Sequence, residues 1–103
     1  MASAASWQDW SDRRDAPRAS VTLPAKVEGE FFSCGGTLLN ISRSGAMLAT
    51  AYPPRAGRDV MLVCRNVKTI ARIVWVRDRH LGLAFDADIG EEKVSKLVGA
   101  AAA

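Results

Sequence analysis

Apolar and polar residues alternate along one early stretch of this chain, and this alternation most constrains what the chain can fold into. The residues of one parity are apolar: Val21, Leu23, Ala25 and Val27. Because successive side chains of a strand point to opposite faces, the pattern predicts a strand, beginning at Ala19, with one buried face. Pro24 lies on the other parity and lacks an N–H group, so we expect it at a sheet edge or a β-bulge.

Several later runs have the length and composition of strands, and turn-forming residues separate them. A connection is expected over residues 29–36, and Arg65-Asn66 suits a short hairpin turn. The expected strands are Thr37–Ile41, Ala46–Thr50, Asp59–Cys64, Lys68–Val76 and Leu81–Phe85. Together with the first strand they predict a mainly all-β fold of six strands, a small antiparallel barrel or sandwich.

The end of the chain changes from strand periodicity to helix periodicity. Val94, Leu97 and Val98 recur at spacings of three and four residues, which predicts a short C-terminal helix that ends at Gly99. A length of 103 residues suits one domain. We expect a flexible N-terminal tail over residues 1–11, a β domain over residues 12–98 and a frayed end over residues 99–103.

The charge balance permits an anionic partner but does not require one. The chain has 14 basic and 11 acidic residues and a net charge of +3, a mild excess beside that of dedicated nucleic-acid binders. No run approaches the roughly 20 apolar residues that span a bilayer. The first residues also lack the pattern of an export signal. We therefore expect a cytoplasmic protein without membrane insertion.

Few residues of this chain could support catalysis or hold a metal ion. His80 is the only histidine and falls in a charged turn. Cys34 and Cys64 lack the short spacing of metal ligands, and we expect both to be reduced. The acidic residues after Phe85 suit the start of a helix, where they favour the positive end of its dipole. We expect no enzyme activity, no catalytic residue, no metal and no cofactor.

Two arginines lie four residues apart in front of the first strand, in Arg14-Asp15-Ala16-Pro17-Arg18, and Arg13 precedes them. Pro17 disfavours helical geometry at Ala16, so we expect the pair on an extended, flexible N-terminal arm. A guanidinium group is planar and can bind phosphate bidentately or pair with the O6 and N7 atoms of guanine. Such a pair alone is more often part of a solvated charged surface.

A polar turn follows the second predicted strand, in Asn40-Ile41-Ser42-Arg43-Ser44-Gly45. Asn40 and Ser42 alternate, which predicts that both side chains lie on one side of the sheet. Gly45 would allow a ligand to approach the backbone, and free N–H groups in such a turn suit an anion. The turn alone is more often an ordinary hairpin, so its combination with the arginines is what suggests a binding site.

In this order the two motifs resemble the signature of the PilZ domain family, R-x-x-x-R followed by D/N-x-S-x-x-G. Asn40 stands where the family accepts either Asp or Asn, and Gly82-Leu83-Ala84-Phe85 in the last strand extends the resemblance. The resemblance covers about residues 12–98. It implies a bacterial six-stranded barrel whose ligand is cyclic di-GMP, a second messenger with two guanines and two phosphates.

The resemblance also implies roles for single residues. The implied ligand-binding residues are Arg14, Arg18, Asn40, Ser42, Gly45, Arg13 and Arg43. The first two arginines would contact guanine edges and phosphates, Asn40 and Ser42 would hydrogen-bond a guanine and nearby groups, and Gly45 would keep the turn open. Arg13 and Arg43 would be secondary contacts. Binding would order the arm against the barrel, and an unidentified effector protein would receive the signal.

Two other functions stay open from the sequence. A PilZ-like adaptor that has lost nucleotide binding would contact only proteins. A small basic barrel could also bind single-stranded nucleic acid, although aromatic residues make up only 7% of the chain and are scattered, which disfavours this function. Trp7 and Trp10 could either stack on a guanine or pack on the barrel, whereas we expect Trp75 to be a barrel residue.

Overall fold

The computed structural model describes residues 17–102, which form six strands and one helix. The strands are β1 (Ala19–Glu28), β2 (Ser33–Ile41), β3 (Gly45–Ala49), β4 (Asp59–Cys64), β5 (Val67–Arg77) and β6 (His80–Phe85), and the helix is α1 (Glu91–Ala102). All neighbouring strands are antiparallel, and they close a barrel in the order β1-β2-β3-β6-β5-β4. The predicted mainly all-β barrel with a C-terminal helix is therefore confirmed.

The barrel encloses one apolar core, because the inward positions of every strand are apolar. Along β1 these positions are Val21, Leu23 and Val27, as the alternation predicts, while Ala25 is half-buried. Other strands add large side chains with no exposed surface, and Leu97 of α1 packs on the same cluster. Burial of this apolar surface is the main favourable contribution to folding. No helix within residues 17–102 has the length and apolar character needed to cross a bilayer.

A β-bulge in β2 changes which side chains face the core near the end of that strand. Leu38 and Ile41 are both fully buried although they are three residues apart, which strict alternation forbids. The pairing of β2 with β3 shifts by one residue between Leu38 and Asn40, and this extra residue accounts for the pattern. Asn40 shares the parity of Leu38, yet it lies half-exposed outside the buried face.

Trp75 is a barrel residue, as predicted, and it packs on the outside of the barrel. A register shift between Ile73 and Trp75 in β5 sets Trp75 opposite Gly82 of β6. The indole ring occupies the space where a Cβ atom of residue 82 would lie. Glycine at this position therefore allows the large ring to lie flat against the neighbouring strand.

β2 begins at Ser33 rather than at Thr37, so the predicted start of this strand is wrong by four residues. Composition had placed Gly35 and Gly36 in a hairpin connection, but both pair with β1, opposite Lys26 and Ala25. A Cβ atom on Gly36 would collide with the carbonyl oxygen of Ala49 in β3, whereas Gly35 has open space at the same point. Close approach of two backbones, rather than a turn, explains this glycine. The other strand limits agree with the prediction within one residue.

The prediction that the helix ends at Gly99 is wrong, because α1 continues to Ala102. Gly99 is exposed, and glycine in a helix interior costs about 1 kcal/mol relative to alanine. The alanines that follow are strong helix formers, and Ala100 and Ala101 pack against the core cluster. Their packing and helix propensity outweigh the cost of the single glycine.

Candidate functional site

Arg18 and Asn40, one residue from each sequence motif, are in direct contact at one end of the barrel. The guanidinium Nη1 of Arg18 donates a hydrogen bond of 3.1 Å to the amide oxygen Oδ1 of Asn40. The pairing of β1 with β2 positions them, because it sets Ser20 opposite Asn40. Both side chains are half-buried, so the contact orients the guanidinium on the barrel surface without removing it from solvent. Arg13 and Arg14 lie outside the described residues.

The turn between β2 and β3 is held together by the hydroxyl of Ser42. This side chain is fully buried, and its Oγ accepts hydrogen bonds from the backbone N–H groups of Ser44 and Gly45, each 3.2 Å long. The N–H group of Ser42 in turn donates to the carbonyl oxygen of Gly45 at 2.9 Å. The expectation of free N–H groups in this turn is therefore wrong for Ser44 and Gly45. The structure places Ser42 and Gly45 as residues that shape the turn behind Asn40.

We expect Ser42→Ala to lower the free energy of unfolding by about 2 kcal/mol, because it leaves two backbone donors in a buried turn without their acceptor. Urea unfolding followed by circular dichroism measures this loss. Ser95→Ala is the matched control, since Ser95 is exposed on α1, and it should change stability by no more than about 0.5 kcal/mol. Equal stabilities of the two variants would show that the hydroxyl does not hold the turn.

Arg43 lies in the same turn but pairs with the acidic start of the helix. Its guanidinium lies 3.3 Å from the carboxylate of Glu91 and 3.7 Å from that of Asp88. Nε is buried and within ion-pair distance of Glu91, yet it makes no well-aligned hydrogen bond. The backbone adds a further link, since the N–H group of Ile89 donates to the carbonyl oxygen of Arg43 at 3.0 Å. The structure thus connects Arg43 to the start of α1.

Sequence reasoning missed this role of Asp88 and Glu91. Both were interpreted as charges that favour the helix dipole, which their position before and within the first turn of α1 still supports. Their ion pairs with Arg43 join residues more than forty positions apart, and the pairing of β3 with β6 brings these residues together. Opposite charge was the only sign of these ion pairs in the sequence. It does not identify the partner of Arg43, because the chain has 11 acidic residues.

The described residues offer little reactive chemistry near this turn. No group of three His, Cys, Asp or Glu side chains within residues 17–102 is arranged to hold a metal ion. Both cysteines are free, as expected, and burial raises the pKa of the Cys64 thiol above its usual value. His80 hydrogen-bonds through Nδ1 to the carbonyl oxygen of Asp78 in its own turn, at the other end of β6. The hydrogen-bonding groups of Arg18 and Asn40 and the charge of Arg43 suit the binding of a polar ligand.

Comparisons with known proteins agree with this fold. The sequence model of the PilZ domain matches residues 12–102 of the chain. The fold is similar to that of the Bacillus subtilis inhibitor of motility MotI/DgrA, with a TM-score of 0.66 and 17% identity. That match covers 87% of this chain and 50% of the other, so the chain spans half the length of that protein.

A second similar structure is the PilZ domain of CeSA from a cellulose-synthesizing bacterium. The TM-score is 0.61 at 16% identity, and the match covers 84% of this chain and 95% of that domain. No curated protein sequence matches the chain. At these identities the structural matches establish the fold, and the match of the sequence model over nearly the whole chain establishes the family.

Proposed function

The chain belongs to the PilZ domain family, a family of cyclic di-GMP receptor and adaptor domains, and we propose that it binds cyclic di-GMP and signals through a partner protein. The observation that carries the proposal is the hydrogen bond between Arg18 and Asn40. It joins the arginine motif to the polar turn motif on one surface, as a ligand that uses both would require. A guanidinium held by an amide is already oriented for bidentate contact with a phosphate or a guanine edge.

Each predicted site residue has a distinct part in this proposal. Arg14 and Arg18 contact the guanine edges and phosphates, and Asn40 hydrogen-bonds a guanine. Ser42 acts as a positioning residue, because its hydroxyl holds the turn, although the resemblance also implies a contact with the ligand. Gly45 completes that turn through its own amide and carbonyl groups. This division separates residues that meet the ligand from those that set the geometry of the turn.

Arg13 and Arg43 are proposed as secondary contacts. Arg43 is already paired with Asp88 and Glu91, and both ion pairs are partly exposed. Exposed ion pairs contribute only about 0–1 kcal/mol, so a doubly charged ligand could draw the guanidinium away at small cost. We further propose that the ligand orders the arginine arm against the barrel, which hides positive charge and forms the surface that the effector protein meets.

We expect isothermal titration calorimetry to show saturable binding of cyclic di-GMP. Cyclic di-AMP and GTP should bind about 100-fold more weakly or not at all, because a site built to hydrogen-bond one base rejects an analogue that leaves its polar groups unpaired. Comparable affinity for all three compounds would point to non-specific charge attraction. A folded protein that gives no heat with cyclic di-GMP would instead favour the adaptor that binds only proteins.

A further inference from the structure

An open groove of about 730 Å³ lies at the opposite end of β2 from Asn40. The connection from β1 to β2 forms one wall, and the long loop from β3 to β4 forms the other. More than half of its lining residues are aromatic, proline or arginine: Phe31, Phe32, Tyr52, Pro53, Pro54, Arg55 and Arg58. Nothing in the proposed nucleotide site uses this groove.

Two large apolar side chains of the groove are almost fully exposed. Phe31 retains 91% of its surface and Tyr52 retains 88%, the two highest values among the exposed large hydrophobic residues of the described chain. Single exposed apolar residues are common, but two aromatic rings on facing walls of one groove form a patch. Aromatic residues are enriched in protein interfaces, where they supply much of the binding energy.

The charge of the groove is positive and has no internal counterpart. Neither Arg55 nor Arg58 forms an ion pair with a carboxylate of residues 17–102. The Arg58 guanidinium instead lies 5.7 Å from the centroid of the Phe32 ring, a cation–π distance that fixes it at the wall. By contrast, Arg72 and Arg43 are both paired with acidic residues. The two groove arginines are therefore available to a partner's carboxylates.

Side-chain and backbone hydrogen bonds hold the floor of the groove in place. The Thr50 hydroxyl donates to the carbonyl oxygen of Gly35 at 2.8 Å, and it lies 3.0 Å from the thiol of Cys34. The N–H group of Thr50 donates to the carbonyl oxygen of Arg79 at 2.8 Å, which ties the same point to the turn between β5 and β6. A floor already ordered in this way reduces the entropy cost of binding.

We propose that this groove docks an acidic segment of a partner protein, one that carries aromatic or large aliphatic side chains between its carboxylates. The apolar walls contact the large side chains of the partner's segment, and the two arginines form ion pairs with its carboxylates. A nucleic-acid strand is less well matched, because phosphate binding requires a longer row of cations and Glu30 is exposed beside Phe31. The proposal goes beyond nucleotide binding and does not depend on it.

Selection of short random peptides displayed on phage against the whole chain tests this proposal. We expect the enriched sequences to combine Asp or Glu with Trp, Phe or Leu. The affinity of a selected peptide, measured by fluorescence anisotropy, should fall at least about tenfold for the double variant Phe31→Ala/Tyr52→Ala. It should fall similarly for Arg55→Glu/Arg58→Glu, and added salt should weaken binding to the unchanged protein.

Two substitutions elsewhere serve as matched controls. Ile70→Ala removes another exposed apolar side chain, and Lys93→Glu reverses another exposed charge, and neither residue lines the groove. Both controls should bind the peptide as the unchanged protein does, and amide chemical shifts should move at residues 31–35 and 50–58. The proposal would be overturned if no acidic-aromatic sequence is enriched, or if the controls lose as much affinity for the peptide as the groove variants do.

Two other outcomes would assign the groove to a different occupant. Binding of oligothymidine that the groove variants abolish would assign the groove to nucleic acid. A dimer that the groove variants dissociate would assign it to a second copy of this chain.

Discussion

Arg18→Ala is expected to lower the affinity for cyclic di-GMP by about a hundredfold, or ~2.8 kcal/mol of binding free energy. The substitution removes a charged donor group that Asn40 holds in position, so both the contact to the ligand and its orientation are lost. Calorimetry measures the change directly. Arg18 is half-buried outside the apolar core, so the variant should keep the fold, which circular dichroism checks.

Arg14→Ala should lower the affinity for cyclic di-GMP by a similar factor if the two arginines contact the same ligand. Arg18→Lys should recover only part of the affinity, since an ammonium group cannot make the bidentate contacts of a guanidinium. Arg77→Ala is the matched control, because Arg77 is an exposed arginine of β5 at the end of the barrel away from Asn40. Unchanged affinity after Arg14→Ala and Arg18→Ala would refute the proposed site, even if the protein binds the nucleotide elsewhere.

Gly36→Ala is expected to lower the free energy of unfolding by about 3 kcal/mol, at the upper end of the usual cost of overpacking. The added methyl group would collide with the carbonyl oxygen of Ala49. This oxygen belongs to the backbone of β3, so it cannot rotate away as a side chain could. Relief requires β2 and β3 to separate where Thr37 pairs with Ala49, within the sheet that carries Asn40.

Gly35→Ala provides the control for this prediction, because the neighbouring glycine has open space where its Cβ atom would lie. Its stability should be unchanged or higher by about 0.5 kcal/mol, since alanine restricts the unfolded chain. Urea unfolding of both variants, with equal slopes, measures the difference. If the free energies of unfolding of the two variants differ by less than about 0.5 kcal/mol, β2 and β3 do not approach each other closely at Gly36, and the prediction is contradicted.

The alternation of apolar residues was enough to predict strands with one buried face, because such a face needs only a period of two. The choice of a barrel over a sandwich came from the resemblance to the PilZ family. It could not predict the bulge in β2, which places one extra residue between Leu38 and Ile41. By parity alone, Asn40 would share the buried side of Leu38. The prediction that Asn40 and Ser42 lie on one side of the sheet also followed parity, whereas the structure leaves Asn40 half-exposed and Ser42 fully buried.

The site motifs were visible in the sequence, but the contacts around them were not. The hydrogen bonds of the Ser42 hydroxyl to its own turn could not be predicted, since a serine in a hairpin can face either solvent or its own backbone. The partners of Arg43 depend on how α1 returns to the barrel, a long-range arrangement that no local pattern encodes. The contacts of Ser42 and Arg43 could therefore be seen only in the structure.

The seam between β1 and β4 is short, since only Lys26–Glu28 of β1 pairs with β4. The earlier half of β1 has no strand partner on that side. Unpaired backbone groups of this kind can pair with strands of other molecules, which is the usual route to edge-to-edge aggregation. Pro24 lacks an N–H group in that half, and α1 packs against the same strand. The helix thus covers part of a strand that has no second partner there, and we expect a shortened helix to favour self-association.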